Sequence, residues 1–353
     1  MGLKHKLKLV LRETYARVLY HTGLCALVDR VMPRRLVILA GHCVTAHSNA
    51  ALAKDMRIEA SKLERILAHL GRRHELTTVA EGWASLQSDG RHSLVALSMD
   101  DGYKDNRTHL LPLLQRLGAP ATIYLESAPL EERALNWSHL FFWLLDRLGA
   151  ERFVERFVAE CRDEHTNALY RELTASGRAT SYHLKRVLKY EAPAAERTRA
   201  IRALFLAEGG DERALCDALY MTWDDARALR DAGIELGGHT VHHEILARLD
   251  EHGQRAEVAG SRAALVRQAG DRAASFAYPF GRRWDWDARS KEAARLAGFT
   301  CATTTHAGVN VRGSDPYELK RLMIDEDARL HVLATEACGG FELLRRFGLD
   351  LSE

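Results

Sequence analysis

The chain has 353 residues, 46% hydrophobic and 28% charged, and its 50 Lys and Arg nearly balance 48 Asp and Glu for a net charge of +2. That length buries a substantial core in one large α/β domain or two smaller ones, and the composition is that of a globular protein. The small net charge and the lack of a basic stripe interleaved with aromatics exclude nucleic acid as a partner, and no run of about 18 apolar residues is present to span a membrane.

In chain order, the first segment is basic, Met1-Gly-Leu-Lys-His-Lys-Leu-Lys8. Arg12, Glu13 and Arg17 interrupt its apolar stretch and no small-residue cleavage site closes it, so it does not read as a signal peptide. Residues 3–20 predict an amphipathic helix on which Lys4, Lys6, Lys8 and Arg12 offer positive charge. Such a helix either packs exposed on the domain or makes peripheral contact with an anionic membrane surface. Cys25, Cys43, Cys161, Cys216, Cys301 and Cys338 are scattered with no CxxC pair, which suits a reducing compartment. The expected location is cytoplasmic, at most peripheral to the inner face of the membrane.

Short apolar, β-branched runs ending in Gly, Asp or His predict strands at 35–40, 93–98, 121–125, 234–236, 275–278, 300–303 and 321–324. Apolar residues at helical spacing predict helices at 58–70, 106–117, 223–231, 255–269 and 287–297. Strands alternating with helices of this length imply parallel βα units, hence a doubly wound sheet or a barrel. From 130 to 220 only helical patterns occur, at 137–148, 152–161, 182–189 and 194–207. That region reads as a helical insertion following a strand, where insertions commonly cap a site. The expected organisation is an N-terminal helical segment (1–34), an α/β body (35–335) interrupted at 130–220, and a C-terminal tail (336–353).

Two strand ends carry the chemistry. Ser98-Met-Asp-Asp-Gly-Tyr103 ends one apolar run with two carboxylates, and Gly102 lets the backbone turn so that both carboxylates converge. Taken alone, an Asp-Asp-Gly triplet is equally an ordinary turn. Gly237-Gly-His-Thr-Val-His-His243 ends another run and enters a predicted helix at 244–248, which would place His239 and His243 on one face. A lone histidine pair is as often structural. His242, between them, points elsewhere. Two histidines and one carboxylate form a facial ligand set that leaves positions open for water and substrate, and a second carboxylate beside that water can take its proton. A third strand end, Phe276-Ala-Tyr-Pro-Phe-Gly281, makes a tight turn whose Phe280 amide can donate to an oxyanion.

In this order the motifs resemble those of the polysaccharide deacetylases, the carbohydrate esterases of family 4 with a NodB homology domain. Ser98-Met-Asp-Asp-Gly is similar to the family's Thr-Phe-Asp-Asp-Gly, His239-Thr-Val-His-His243 to its His-Ser/Thr-x-x-His, and Tyr278-Pro-Phe-Gly281 to its proline–glycine motif. Residues 36–44, the stretch from Met221-Thr-Trp-Asp-Asp to Gly238, and residues 297–304 add to the likeness, which spans about 35–125 and 221–326. The resemblance implies a distorted (β/α)7-type barrel and metal-dependent removal of N- or O-acetyl groups from glycans. It makes Asp100 the general base, Asp101, His239 and His243 the metal ligands, and the Phe280 amide the oxyanion donor. Tyr103, Tyr278, Pro279 and Gly281 would touch substrate.

Three features depart from the family pattern. Many members are secreted or anchored outside the membrane, whereas no export signal is read here, so intact peptidoglycan or chitin is not the expected substrate. Phe276 and Ala277 stand where an Arg often tunes the base, leaving Arg321 as its substitute. No late Leu-x-His motif supplies a general acid: His331 follows Leu330 in a helical context, and His42, at a strand end, is the better geometric candidate. The expected cofactor is a divalent ion, zinc by default, with cobalt, nickel or manganese also compatible. The expected partner is an N-acetylated glycan or glycolipid of a bacterial polysaccharide, exopolysaccharide or lipid-linked pathway. The alternatives are a catalytically impaired glycan-binding relative and a metal hydrolase of a non-polysaccharide amide or ester.

Overall fold

The computed structural model describes residues 3–46, 54–270, 273–349 and 351. Its strands are β1 (Arg35–Gly41), β2 (Cys43–Thr45), β3 (Arg57–Glu59), β4 (Glu75–Thr77), β5 (Leu94–Met99), β6 (Thr122–Leu125), β7 (Glu235–Gly238), β8 (Ser275–Ala277), β9 (Cys301–Thr303), β10 (Asn310–Val311) and β11 (Leu322–Met323). Seven of them run parallel in the spatial order β11-β1-β5-β6-β7-β8-β9. β4 adds to β5 in parallel, and β10 adds to β1 antiparallel. The sheet curls until its ends meet: Leu319, just before β11, donates its amide to Ala302 (2.9 Å) and accepts from Thr304 (2.8 Å). This is the distorted seven-stranded barrel expected from the sequence.

β1 and β5 are buried along their whole length, because a parallel strand has the barrel interior on one side and helices on the other. Their near-continuous apolar runs follow from that. The helices are α1 (Leu3–His21), α2 (Leu24–Val31), α3 (Ala60–Leu70), α4 (Val79–Gln87), α5 (Leu111–Leu117), α6 (Ser127–Glu131), α7 (Trp137–Glu160), α8 (Glu164–Ala175), α9 (Ser181–Tyr190), α10 (Ala194–Ala207), α11 (Glu212–Leu219), α12 (Trp223–Asp231), α13 (Glu251–Ala269), α14 (Ala288–Leu296), α15 (Leu330–Ala337) and α16 (Gly340–Arg346). Polar residues cap many of them: Asn136, Thr180, Thr222 and Asp250 each accept from amides of the following first turn.

Helices α6 to α12 lie between β6 and β7, and α6 to α11 form the insertion ahead of α12. Phe141, Phe153, Phe157 and Tyr170 form an aromatic cluster inside it, with Phe153 at 5.2 Å from Phe141, 5.6 Å from Phe157 and 6.2 Å from Tyr170 between ring centroids. The same hydrophobic core continues without a break into the barrel, so the inserted helices have no separate interior.

At the other end, α1 and α2 pack on α15 and α16. Tyr15 donates to the Gly340 carbonyl (3.0 Å), and Glu13 pairs with Arg329 (2.8 Å) and His331 (2.7 Å). Arg35 of β1 donates to the Ala337 carbonyl (2.7 Å), tying these helices to the barrel. Residues 340–346, expected within a tail, are helical because Phe341 is buried against the body. One face of the pair α1 and α2 is left outward: Leu7, Val10, Leu11, Val18, Leu24, Leu27 and Val31 are all exposed. Replacing Phe153 by Ala removes the centre of the insertion's aromatic cluster. It should lower unfolding free energy by about 3–5 kcal/mol, measured by urea denaturation.

Candidate active site

The site lies at the C-terminal ends of β1, β5, β7 and β8, where parallel strands leave their backbone open to a ligand. β5 continues one residue beyond Met99, since Asp100 donates its amide to Gly41 (2.9 Å). The chain then turns sharply, with Asp101 at φ 73 and Gly102 at φ 78. A Cβ on Gly102 would stand 2.8 Å from Leu125, so only glycine fits there.

Asp100 is clasped by Arg321, whose two terminal nitrogens donate to its two oxygens at 2.7 and 2.8 Å. The third arm of the guanidinium donates to the Thr304 carbonyl (2.8 Å), so this cation is fully ordered. Both side chains are buried, at 3% and 1% exposure. Burial alone would push the Asp100 carboxyl up, but Arg321, and then His239 and His42, hold it below its ordinary value. Asp100 is therefore a carboxylate at neutral pH. Arg321 comes from the segment before β11, and the strand positions of Phe276 and Ala277 are filled by core side chains.

The histidines follow β7, but not on a helix. Residues 240–245 form a turn, and only Leu246–Arg248 makes a short 3-10 helix. The expected helical pairing is thus corrected. Thr240 and His243 have φ 64 and 57, which no right-handed helix allows, and the Thr240 hydroxyl accepts the His243 amide (3.0 Å) in place of a helical bond. The turn is held from two sides. Ser127 and Ala128 of α6 donate to the carbonyls of Thr240 (3.2 Å) and Val241 (2.9 Å), while Glu257 of α13 accepts the amides of Val241 (3.0 Å) and His242 (2.9 Å). Glu257 also holds the His242 ring (2.7 Å), which points away from the centre.

His239 places Nδ1 2.7 Å from the Ala277 carbonyl. A carbonyl needs a donor, so Nδ1 carries the proton and Nε2 presents its lone pair. That Nε2 stands 3.2 Å from Asp101 Oδ1, and His243 Nε2 stands 3.4 Å from the same oxygen. Asp101 Oδ1 and His243 Nδ1 are buried with no hydrogen-bond partner of good geometry. Three ligand atoms therefore converge within 4.8 Å of one another in a buried cluster. Facing lone pairs repel unless a cation lies among them, and this donor set fits a divalent ion. Burial works against the charged forms, yet His239 and His243 hold the Asp101 carboxyl well below its usual range. Burial pulls His243 down, whereas at His239 the pull of burial is outweighed by Asp101 and Asp100, which raise it.

At the end of β8, Phe280 adopts φ 60 and Gly281 φ 66, and the Gly281 amide closes a tight turn onto the Pro279 carbonyl (2.7 Å). The Phe280 ring lies edge-on to His243 at 4.7 Å. Its amide makes no hydrogen bond within the described residues. Asp101, Thr240, His243 and Phe280 are four of the five described non-glycine residues with positive φ, so local strain concentrates at this centre.

Four residues expected to touch substrate do not offer a side-chain face to it. Tyr278 is fully buried, stacked on Trp286 at 5.2 Å with its hydroxyl donating to the Tyr317 carbonyl (3.1 Å). Tyr103 is buried beneath Asp101, its hydroxyl 3.0 Å from His139 Nε2. Pro279 and Gly281 are buried and shape the Phe280 turn. His42 is half-buried just past β1, close enough to lower both aspartates electrostatically, and its buried Nδ1 has no hydrogen-bond partner. His331 is bound to Glu13 on α1, away from the centre.

The inserted helices contribute residues that the sequence did not single out. Arg197 of α10 donates to both Glu244 oxygens (2.6 and 2.7 Å), beside His243, and lies over the Trp137 ring at 4.4 Å. Lys185 and Lys189 of α9 approach the Phe280 ring at 5.7 and 3.7 Å. Glu126, after β6, is fully buried and accepts from Asn136 (2.9 Å) and Tyr220 (3.2 Å); burial raises its carboxyl well above the usual range. A helical repeat shows that Lys185 and Lys189 share a face, but not what that face meets.

Comparison with known proteins gives a consistent result. The chain is similar in fold to the deacetylase PplD of Streptococcus pyogenes, solved in complex with acetate, at 15% identity and a TM-score of 0.56 over 87% of this chain and 99% of that one. It is also similar to IcaB from Ammonifex degensii (17% identity, TM-score 0.53, 87% and 98% covered). A de-N-acetylase from Aggregatibacter actinomycetemcomitans gives 16% identity and a TM-score of 0.51, with 85% and 98% covered. No curated protein matches the sequence. At such identities the structural likeness establishes the fold, while the sequence profile of the polysaccharide deacetylases matches residues 87–302. The chain belongs to the polysaccharide deacetylase family.

Proposed function

We propose that this hydrolase removes an acetyl group, N-linked or O-linked, from a sugar of a bacterial polysaccharide, exopolysaccharide or lipid-linked glycan, and that it uses a divalent metal ion, zinc by default. The observation that carries this reading is the ionised, Arg321-clasped Asp100 standing next to the convergent Asp101, His239 and His243. A divalent ion held by those three residues would lower the pKa of a bound water and polarise the acyl carbonyl.

The protein's own groups supply the remaining steps. Asp100, kept charged by Arg321, takes the proton from the attacking water. The Phe280 amide donates to the oxygen on which negative charge develops, and the strained turn fixes it in place beforehand. His42 passes a proton to the departing amine or alcohol.

The outward face of α1 and α2 supports a glycan presented at a membrane. Leu7, Val10, Leu11 and Val18 form one exposed stripe on α1, with Lys8 and Arg17 flanking it by helical position, and α2 extends it. Lys4 and Lys6 belong to the same basic segment, but their side chains lie outside the described residues. The occupant that fits apolar residues rimmed by positive charge is an anionic bilayer surface.

Asp100→Asn and His239→Ala should each lower acetate release from N-acetylated oligosaccharides by about a hundredfold or more, measured with metal-loaded protein. Unchanged turnover in both would sink the site. Elemental analysis should find one metal ion per chain, lost in Asp101→Ala. In Arg321→Ala, Asp100 loses the strongest of the charges that oppose burial, and its pKa rises. The acid limb of kcat/KM should move upward by about one pH unit or more, with activity lost earlier as pH falls. Co-sedimentation should show binding to phosphatidylglycerol vesicles but not to phosphatidylcholine. Changing Leu7, Val10 and Leu11 to Asp should abolish it.

A further inference from the structure

Helix α9 brings two lysines to the Phe280 ring at the mouth of the site, and they differ in their partners. Of the two lysines that reach the Phe280 ring, Lys189 has an internal partner. Its ammonium lies 3.2 Å from Asp285, a buried carboxylate that also accepts from the Tyr190 hydroxyl (3.0 Å) and the Arg282 amide (3.0 Å). That knot fixes α9 to the loop after β8.

Lys185, one turn earlier on α9, has no hydrogen bond or ion pair within the described residues. Its ammonium is half-buried against the ring of Phe142 at 4.5 Å and that of Phe280 at 5.7 Å. The carboxylates within electrostatic reach are the exposed Asp55 and Asp101, which faces the two histidines, while Arg282 adds like charge. Burial brings the Lys185 pKa down to about 8, still mainly charged at neutral pH. Cation–π contacts offset only part of the cost of removing an ammonium from water. On the same loop as Arg282, the Trp284 indole is 52% exposed and anchored to α9 by donating to the Tyr190 hydroxyl (2.7 Å). An ammonium without a hydrogen-bonded counterion and an exposed aromatic plane, both at the junction of α9 with the loop after β8, suit a sugar that carries negative charge.

We propose that α9 and the loop after β8 form a site for an anionic group, a carboxylate or phosphate, on the sugar next to the acetylated one. Lys185 is its main contact, Arg282 stands at its rim, and the ring lies on Trp284. The inference rests on the deacetylase reading above and narrows its substrate class to acidic glycans. The Phe280 ring touches His243 at 4.7 Å, so Lys185 stands beside the reacting centre and not within it.

The experiment compares acetate release by metal-loaded full-length chain from a neutral chitooligosaccharide and from an oligosaccharide alternating N-acetylglucosamine with glucuronate. A third arm with N-acetylglucosaminyl diphosphate lipid separates phosphate from carboxylate. The wild type should favour an acidic substrate by about tenfold or more in kcat/KM, the lower range of a charge-assisted hydrogen bond. Lys185→Gln should remove most of that preference, Arg282→Gln part of it, and Lys185→Arg little, with unchanged circular dichroism in each. Equal use of neutral and acidic glycans by the wild type, or a preference that survives in Lys185→Gln, overturns the proposal. If no glycan loses acetate, the deacetylase reading fails on its own, and calorimetric binding of the same glycans decides the site. Tighter binding of the acidic glycan to the wild type than to Lys185→Gln supports it, and equal binding overturns it.

Discussion

A buried carboxylate stays ionised only when a fixed positive charge replaces the water it has lost, and in this protein that charge is Arg321. The guanidinium meets both oxygens of Asp100 and donates its third arm to the Thr304 carbonyl, so it has no freedom to turn away. Both partners are buried, and loss of either would leave the other uncompensated at a cost of about 3–5 kcal/mol. The same contact sets the protonation of Asp100 and joins the ends of β11 and β5, the two strands that flank β1. Asp101 is held in the ionised state differently, by two imidazoles that face it. Adjacent residues of one turn thus carry separate chemical duties because their neighbours differ.

Around these charges the backbone is strained in a consistent way. Positive φ at Asp101, Thr240, His243 and Phe280 turns each side chain or amide toward the centre sooner than a relaxed strand end would. Such strain persists only when neighbours over-determine it. Here α6 and Glu257 hold the histidine turn, Arg197 holds Glu244, and Asp285 holds the loop after β8 against α9. Three of these four supports involve the inserted helices, which are therefore part of the site's framework as well as its roof.

The central parallel strands were legible because β1, β5, β6 and β8 are buried on both faces, leaving apolar runs that end in Asp, His or Gly. Asp100, Asp101, His239 and His243 could be singled out because they stand where those runs stop. The turn that joins the two histidines was not legible: an i,i+4 spacing suits a helix, and only the Thr240 hydroxyl on the His243 amide shows why none forms. The burial of Tyr278 and Tyr103 was not legible for a related reason. A tyrosine beside a motif carries no sign of which way it points, and in both cases a partner beneath the site captured the hydroxyl. Arg197, Lys185 and Lys189 lay on ordinary amphipathic helices, where sequence reveals a shared face but not the surface it covers. The short strands β2, β3, β4 and β10 are edge pieces with too few residues to show a period.

The Arg321–Asp100 contact joins residues 221 positions apart. Contacts of that separation form late, because the intervening chain must first be ordered. A chain whose last parallel strand has not docked leaves Asp100 without its guanidinium. One ion pair thereby makes the charge state at the end of β5 depend on the last parallel strand.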